Sequence, residues 1–203
     1  MEIKAFSIGY MQNNAYLLYQ NGEGILIDAP KHSHKTVMDF CNKNNVALKA
    51  VYFTHGHWDH ILDARLFKES GAKIYVAKAD EHYFFDAPEL WSMPVEMPSV
   101  KSDFYLNDGD ILTEAGITVK VITTPGHTEG GVCFVCGGNI FTGDTLFYGT
   151  YGRVDLQGGS LKVIKDSIFN KLFALEGDYT VYPGHERATT LSAERLNNEI
   201  FSD

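Results

Sequence analysis

A short run of metal-ligand residue types, THGHWDH at residues 54–60, places three histidines and an aspartate within seven positions. Imidazole and carboxylate groups are ligands that zinc, iron and manganese take in proteins. The spacing His-x-His-x-Asp-His follows a strand pattern and contains a glycine, so it does not match the helical HExxH zinc site. In a tight loop, His55 and His57 can converge on one metal ion, while Asp59 and His60 turn toward a second.

Three further ligand-type residues each follow a predicted strand and a glycine. They are His127 in VITTPGHT, Asp144 in NIFTGDT and His185 in TVYPGHE. Glycine allows sharp turns, and loops at strand ends are where sites are usually built. The sequence therefore predicts two divalent metal ions, for which zinc, iron and manganese all suit these ligand types, with Asp144 bridging them. The first ion takes His55, His57 and His127, and the second takes Asp59, His60 and His185.

The elements that must position these residues alternate in type along the first half of the chain. Short apolar runs separated by Asn and Gly turns predict strands. Residues 33–44 have helical periodicity, with Ser33 as the N-cap. The predicted strands are EIKAFSIG, NAYLLYQ, GILIDA, ALKAVYFT at 47–54 and KIYVA at 73–77, and helical structure is also predicted at 61–70 and 78–85.

The second half repeats this mixture of strands and helices. Strands are predicted within DGDILTEAG, ITVKVITT, GVCFVCG, NIFTGD and YTVYPG, and helices at about 160–176 and from about 190. Two strand-rich halves, each with helices, predict an α/β fold with two sheets face to face and helices outside, a four-layer αββα sandwich. We expect residues 1–203 to form a single domain. Residues 86–102, with three of the six prolines, are predicted to be a lid or pocket wall, or else a clamped surface loop or an oligomer contact.

Composition limits the class of function. Hydrophobic residues make up 44% and charged residues 21% of the chain, as in globular proteins. The net charge of −9 argues against a nucleic-acid partner. No apolar stretch approaches the roughly 18 residues of a membrane span, and the N-terminus lacks a signal-peptide pattern. With only three cysteines, we expect a cytoplasmic protein with no membrane partner.

The other histidines and the paired cysteines do not form a comparable pattern. Cys133 and Cys136 lie three positions apart in a predicted strand, so their side chains are expected on opposite faces. One buried and one half-buried thiol are therefore predicted, rather than a redox or zinc pair. His32, His34 and His82 are predicted to have surface or capping roles.

Taken as a set, the motifs resemble those of the metallo-β-lactamase superfamily over essentially the whole chain. They are H55-G-H57-W-D59-H60, PGHT at 125–128, TGDTLF at 142–147 and PGHE at 183–186. The resemblance implies an αββα fold with a metal site between the sheets. Within the superfamily the chain is most similar to the short, single-domain glyoxalase II (hydroxyacylglutathione hydrolase) branch, because GDTLF is followed by Gly-Arg.

The glyoxalase II resemblance also implies a role for one arginine and has visible departures. Arg153, nine residues after Asp144, would anchor the glutathione carboxylate, unless it is a surface arginine that pairs with Asp155. Arg187 replaces a tyrosine that the family places two residues after the last histidine. The chain stops about 18 residues after His185, so the family's helical C-terminal domain is not expected, and the substrate can be a thioester other than that of glutathione.

The resemblance implies hydrolysis of a thioester, such as S-2-hydroxyacylglutathione, by a hydroxide that bridges two metal ions. Metal binding lowers the pKa of water from 15.7 to roughly 7. Asp59 is the expected catalytic residue, because it would ligate a metal ion and orient the hydroxide. The thiolate leaving group needs little protonation, since thiols have a pKa of about 8.5. This explains why no separate general acid is evident in the sequence.

Other functions remain open on the same residues. A mononuclear iron persulfide dioxygenase of this superfamily needs two histidines and one carboxylate, and its Gly-Arg-x-Asp segment resembles residues 152–155. A lactonase is disfavoured, because Phe147 stands where such enzymes have a tyrosine. A non-catalytic metal-binding module is disfavoured by the intact ligand set. The sequence does not predict the oligomeric state.

Overall fold

In the computed structural model, which describes residues 1–86 and 96–202, two six-stranded sheets contain the strands predicted from the apolar runs. The first sheet consists, in spatial order, of β1 (Glu2–Ile8), β2 (Asn13–Gln20), β3 (Glu23–Ile27), β4 (Ala47–Tyr52), β5 (Lys73–Ala77) and β6 (Phe104–Leu106). Its first three strands are antiparallel neighbours, and β3 to β6 run parallel.

In the second sheet, as in the first, neighbouring strands are consecutive in the chain. Its strands are, in spatial order, β12 (Thr189–Thr190), β11 (Thr180–Pro183), β10 (Asn139–Gly143), β9 (Val132–Cys136), β8 (Ile117–Thr123) and β7 (Ile111–Glu114). All its neighbours are antiparallel except β10 and β11, which run parallel. As a result, β10 and β11 end at the same edge of the sheet.

Helices cover the outer faces of both sheets. They are α1 (Ser33–Asn44), α2 (Trp58–Ile61), α3 (Ala64–Glu69), α4 (Leu161–Asp166) and α5 (Leu191–Asn197), with 3-10 turns at Lys78–Phe84 and Glu199–Phe201 and a π-helical segment at Ser167–Leu172 that continues α4. The prediction of Ser33 as N-cap was wrong. His32 precedes the helix with a positive φ of 70°, and Ser33 is its first, buried residue.

Three apolar layers hold the sandwich together. Leu17 and Leu18 are adjacent on β2 and fully buried, but Leu17 packs under the helices and Leu18 packs between the sheets. Strand side chains alternate between faces, so one strand contributes to two layers. Burial of such a side chain stabilises the fold by roughly 1.5–3 kcal/mol. The third layer joins α4 and the π-helical segment to the second sheet through Ile164, Ile168 and Ile140. These layers confirm the predicted αββα sandwich.

The cysteine pair is split by this layering. Cys133 faces the outer layer and Cys136 faces the layer between the sheets, as strand alternation predicts. The expectation of a half-buried thiol was wrong, because Cys136 is only 5% exposed. Burial raises the pKa of the Cys133 thiol to about 12. Neither thiol is therefore placed for redox or metal chemistry.

Several boundaries differ from the sequence prediction. The helix expected at 61–70 is two short helices, and α2 begins at Trp58, inside the histidine-rich run. The edge strands β6 and β12, of three and two residues, were not predicted. Of the segment 86–102, residues 87–95 lie outside the described residues, whereas Met97 and Val100 are buried in the outer layer of the first sheet. No helix in the described part of the chain is long and apolar enough to cross a membrane.

Candidate metal centre

The ligand-type residues meet at one edge of the sandwich, where strands of both sheets end. The run 54–60 follows β4 of the first sheet. The residues that follow β8, β10 and β11 of the second sheet are His127, Asp144 and His185. The structure brings all seven predicted residues together there, in groups whose ligand atoms lie within 4.8 Å of one another. These groups are His55, His57 and His127; His55, His60 and Asp144; and Asp59, His60 and His185.

The first group consists of imidazoles alone. Nδ1 of His57 and Nε2 of His127 lie 2.8 Å apart. The ring of His55 lies 4.9 Å from that of His57 and 4.8 Å from that of His127. Nε2 of His55 is buried and has no hydrogen-bond partner among the described residues.

The second group mixes imidazole with carboxylate. Nε2 of His185 lies 3.3 Å from Nε2 of His60 and 3.4 Å from Oδ2 of Asp59. The distance between His60 Nε2 and Asp59 Oδ2 is 3.9 Å. Three potential ligand atoms therefore surround one small volume next to the first group.

Asp144 lies between the two groups. Its Oδ1 is 3.4 Å from His60 Nε2, and its Oδ2 is 3.5 Å from both His127 Nε2 and His185 Nε2. Oδ1 is also buried without a hydrogen-bond partner in the described structure. A buried polar atom without a partner costs free energy, so these inward-facing atoms fit a cation better than an empty space. The donor set fits divalent metal ions and does not select one of them.

Hydrogen bonds at Nδ1 fix which imidazole nitrogen faces the centre. His60 donates from Nδ1 to Oδ2 of Asp28 (2.9 Å), and His127 donates from Nδ1 to the carbonyl of Arg153 (2.8 Å). His55 contacts Thr54 Oγ1 through Nδ1 at 3.1 Å. Each of these contacts leaves Nε2 directed at the centre, as is typical of metal-ligating histidines.

Two buried carboxylates outside the predicted set hold the two groups in place. Asp28, directly after β3, accepts hydrogen bonds from His60 and from the amide and hydroxyl of Thr54, each at 2.8–2.9 Å. Asp80 accepts from the amides of Gly56 (2.8 Å) and Gly130 (2.6 Å) and from the hydroxyl of Thr128 (2.7 Å). Asp80 thus joins the loop between His55 and His57 to the loop that follows His127.

The sequence interpretation missed these carboxylates and one amide. Asn13, fully buried at the start of β2, donates from Nδ2 to Asp59 Oδ2 at 2.9 Å. Asp28 had the signal used for the ligands, a ligand-type residue at a strand end. Asp80 and Asn13 had no such signal, because their partners lie 24 to 50 positions away in the chain.

The two groups differ in charge. Burial and neighbouring imidazoles hold the pKa of His55 well below its usual range and lower that of His57 to about 4. Burial acts in the same direction on His60 and His185, but the nearby carboxylates outweigh it. They raise the pKa of His60 well above its usual range and that of His185 to about 9. Asp59 stays ionised, because the imidazoles outweigh burial and lower its pKa to about 2.

Two glycines allow the strand ends to approach so closely. Gly143, just before Asp144, has a φ of 50°, a conformation that glycine adopts without strain. Gly184 is required for a different reason. A Cβ atom there would collide with Asp144 Oδ1 and would lie 2.7 Å from Cε1 of His60.

The remaining predicted residues lie outside this cluster. Arg153 is exposed and donates two hydrogen bonds to Asp155, from Nε at 2.7 Å and from a terminal nitrogen at 2.8 Å. The alternative pairing is therefore present, while a substrate role for Arg153 stays a prediction. His32 and His82 are exposed, and His34 contacts Ser70 Oγ through Nε2 at 2.8 Å.

Comparison with known proteins identifies the class that this fold and site define. A family model of the metallo-beta-lactamase superfamily matches residues 8–185, and the chain belongs to this superfamily. An uncharacterized protein of Mycobacterium leprae is 34% identical over 99% of both chains. The hydroxyacylglutathione hydrolase GloC of Haemophilus influenzae is 27% identical over 100% of this chain and 99% of its own. The resemblance seen in the motifs is thereby confirmed.

Solved structures agree with this assignment. The BLEG-1 B3 metallo-beta-lactamase superimposes with a TM-score of 0.92 at 27% identity over 100% of both chains. TTHA1623 in a di-iron-bound form has a TM-score of 0.82 at 30% identity, over 96% of this chain and 98% of its own. ETHE1 from Myxococcus xanthus has a TM-score of 0.82 over 98% of this chain and 83% of its own, and at 23% identity it shows the fold alone.

Proposed function

We propose that the protein is a binuclear metal-dependent hydrolase that cleaves thioesters of the S-2-hydroxyacylglutathione type in the cytoplasm. The observation that carries this proposal is the position of Asp144, whose two carboxylate oxygens face both ligand groups at 3.4–3.5 Å. A carboxylate between two sets of three ligands is what a pair of adjacent metal ions requires. The similarity to GloC along both whole chains supports the thioester class.

The seven residues of the cluster would hold two divalent ions, zinc by preference. When bound, the ions would make hydroxide available at neutral pH and polarise the acyl carbonyl. TTHA1623, which is 30% identical, was solved with two irons, so iron is the alternative. The chain's own contribution is to fix these ligands before the substrate arrives, through Asp28, Asp80 and Asn13, which lowers the cost of organising the centre.

Asp59 is the residue to which we assign the catalytic role. Its carboxylate stays ionised near neutral pH, because the surrounding imidazoles lower its pKa to about 2. The amide of Asn13 donates to Oδ2 and holds the carboxylate in one orientation. An ionised, fixed acceptor at this place can orient an attacking water molecule by accepting a hydrogen bond from it. The departing thiolate, with a reference pKa of about 8.5, leaves without a dedicated proton donor.

The test combines metal analysis with a substrate panel on the full chain. The metal content of the purified protein is measured, and turnover is assayed with S-lactoylglutathione, a neutral thioester, a lactone, a β-lactam and glutathione persulfide with oxygen monitoring. Two metal ions per chain and selective thioester turnover support the proposal. One iron per chain with persulfide-dependent oxygen uptake would establish the dioxygenase instead. A protein that binds metal and turns over none of the compounds would contradict the enzyme assignment.

The panel needs one matched control variant. His34→Gln removes a histidine outside the cluster whose Nε2 contacts Ser70. It is expected to keep the metal content and turnover of the wild type, whereas His57→Gln is expected to lose about one metal ion. Equal losses in both variants would show that any histidine substitution unfolds the protein.

A further inference from the structure

An arginine is stacked on a tyrosine beside the second ligand group. Cζ of Arg187 lies 3.7 Å from the ring centroid of Tyr148. Arg187 is two residues beyond His185, and Tyr148 is four residues beyond Asp144. Two residues span at most about 7 Å of backbone, so the backbone of Arg187 lies within that distance of the backbone of His185, at the edge of the candidate metal centre. Both side chains are exposed.

The guanidinium of Arg187 differs from that of Arg153 in its partners. Arg153 is paired through two hydrogen bonds with Asp155. Arg187, in contrast, makes no hydrogen bond or ion pair through its guanidinium with any residue in 1–86 or 96–202. Stacking uses the face of the guanidinium and leaves its N–H groups, which lie in the plane, available. Arg153, to which the glyoxalase II resemblance assigns the carboxylate, is thus paired with Asp155, whereas the guanidinium of Arg187 has no such partner among the described residues.

The two segments that carry the stacked pair are tied to one buried carboxylate. Glu194 is only 2% exposed. Its Oε2 accepts from the amide of Gly149, next to Tyr148, at 2.9 Å. Its Oε1 accepts from the hydroxyl of Thr189, two residues after Arg187, at 2.7 Å. Because both segments are fixed before any ligand arrives, little ordering entropy is lost on binding.

The other end of the arginine segment is also fixed. Asn14 donates from Nδ2 to the carbonyl of Glu186 at 2.8 Å and to that of Pro183 at 3.0 Å. The tyrosine turn has a second anchor, since the amide of Glu199 donates to the carbonyl of Gly149 at 3.0 Å. The backbone segments that carry the pair are therefore both anchored to the rest of the fold.

A planar guanidinium that is stacked on a ring, and whose N–H groups have no partner among the described residues, is suited to a carboxylate, which it can bind through two parallel hydrogen bonds. We propose that the Arg187–Tyr148 pair binds a carboxylate of the substrate and selects anionic thioesters over neutral ones. This inference rests on the proposed thioesterase function. A carboxylate on the thiol half and one on the acyl half are chemically equivalent here, so the test must distinguish them.

The experiment compares Arg187→Gln with wild type on three thioesters. They are S-lactoylglutathione, its dimethyl ester, and a succinyl thioester of a neutral thiol. The measured quantity is kcat/KM for a carboxylate-bearing substrate divided by kcat/KM for the dimethyl ester. This ratio is expected to fall about tenfold in Arg187→Gln, because the variant loses one charge-assisted hydrogen bond at an exposed site. A fall with S-lactoylglutathione alone places the carboxylate on the thiol half, and a fall with the succinyl thioester alone places it on the acyl half.

Two other substitutions serve as comparison. Lys120→Gln removes one exposed positive charge on β8 and is expected to keep the wild-type ratio. Arg153→Gln tests the rival arginine. A ratio that falls in Arg153→Gln and not in Arg187→Gln overturns the proposal, and so does an equal fall in Lys120→Gln, which would indicate an effect of overall charge.

A binding measurement separates this inference from the proposed function. Calorimetry with the non-hydrolysable thioether S-hexylglutathione and its dimethyl ester reports carboxylate recognition without turnover. Weaker binding of the free acid to Arg187→Gln, with the dimethyl ester as reference, supports the carboxylate site even if no thioester is hydrolysed. Turnover of thioesters by the wild type together with an unaltered free-acid preference in Arg187→Gln would refute the inference and leave the thioesterase function standing.

Discussion

The two ligand groups on either side of Asp144 are built from similar residues but differ in charge. In the first group, of imidazoles alone, burial and repulsion from neighbouring rings lower the pKa values of His55 and His57. In the second group, carboxylates raise the pKa of His60 and His185 despite burial. Near neutral pH, the metal-free protein therefore presents neutral imidazoles at His55 and His57 and retains protons at His60 and His185.

This difference has a consequence for metal binding. Ligands must be deprotonated, so a metal ion in the second group must displace protons, whereas one in the first group need not. The second group compensates through its extra carboxylate, Asp59, which attracts a cation directly. We therefore expect the two sites to fill in sequence, with the second more dependent on pH than the first.

The most damaging single change should be one that removes the link between the groups. Asp144→Ala is expected to lower the metal content of both sites and to reduce kcat/KM for a thioester by about 10³-fold, because both ions lose a shared ligand. Metal analysis after dialysis and steady-state kinetics check this. Asp39→Ala removes an exposed carboxylate that pairs with Lys35 and serves as the control. Full metal content in Asp144→Ala would rule out the bridging position.

Substitution of the supporting carboxylates should separate the groups. Asp80 accepts hydrogen bonds from Gly56, Thr128 and Gly130, so Asp80→Asn places an amide N–H against at least one of these donors. The metal affinity of the first site should fall by about 10–100-fold. Asp28→Asn loses the acceptor of His60 and should weaken mainly the second site to a similar extent. Stepwise cobalt titration followed by absorption spectroscopy measures each affinity.

The titration has a graded control. Thr128→Val removes only one of the three hydrogen bonds to Asp80 and should give a smaller loss at the same site. If Asp80→Asn and Asp28→Asn instead weaken the same cobalt-binding step, the division of support between two carboxylates is wrong.

The smallest expected effect is a pH dependence of the stability of the metal-free protein. His57, with a pKa lowered to about 4, stays neutral in the folded state, so stability is lost as pH falls from about 6.5 toward 4. His185, with a pKa raised to about 9, stabilises the protonated fold below about pH 6.5, and this contribution is lost as pH rises through 9.

Denaturant unfolding of the metal-free protein across this pH range gives the measurement. His57→Gln should make the acid side of the stability profile less steep, and His185→Gln should do the same on the alkaline side, while His55 and His60 carry the rest of each slope. An alkaline slope that is unchanged in His185→Gln would mean that His185 does not carry a proton.

The ligand-type residues could be predicted because strand ends and residue types are local features of the chain. His127 and His185 each follow a Pro-Gly turn, and Asp144 follows Gly143 at the end of β10. The edge strands β6 and β12 could not be predicted, since three and two residues are too short for a period-2 pattern. The one-turn helix from Trp58 was missed for the same reason.

The supporting residues could not be predicted because their role depends on contacts distant in sequence. Asp80 joins two loops that lie 24 and 50 positions from it in the chain, and Asn13 reaches Asp59 across 46 positions. The stacking of Arg187 on Tyr148 was also visible only in the fold. The pairing of Arg153 with Asp155, in contrast, was one of the two alternatives that the sequence offered, because the two residues are near neighbours in the chain.

The sequence by itself determined the superfamily, the layered fold and the seven ligand-type residues, since apolar periodicity and short motifs are written along the chain. The tertiary structure alone decided which nitrogen of each histidine faces the centre, which carboxylates stay outside it, and how the two groups differ in charge. The physical reason is that tautomer and pKa follow from burial and from partners brought together by folding. Against the effect of burial, Asp144, Asp59 and Asp28 raise the pKa of His60, and Asp28 lies 32 positions from it in the sequence.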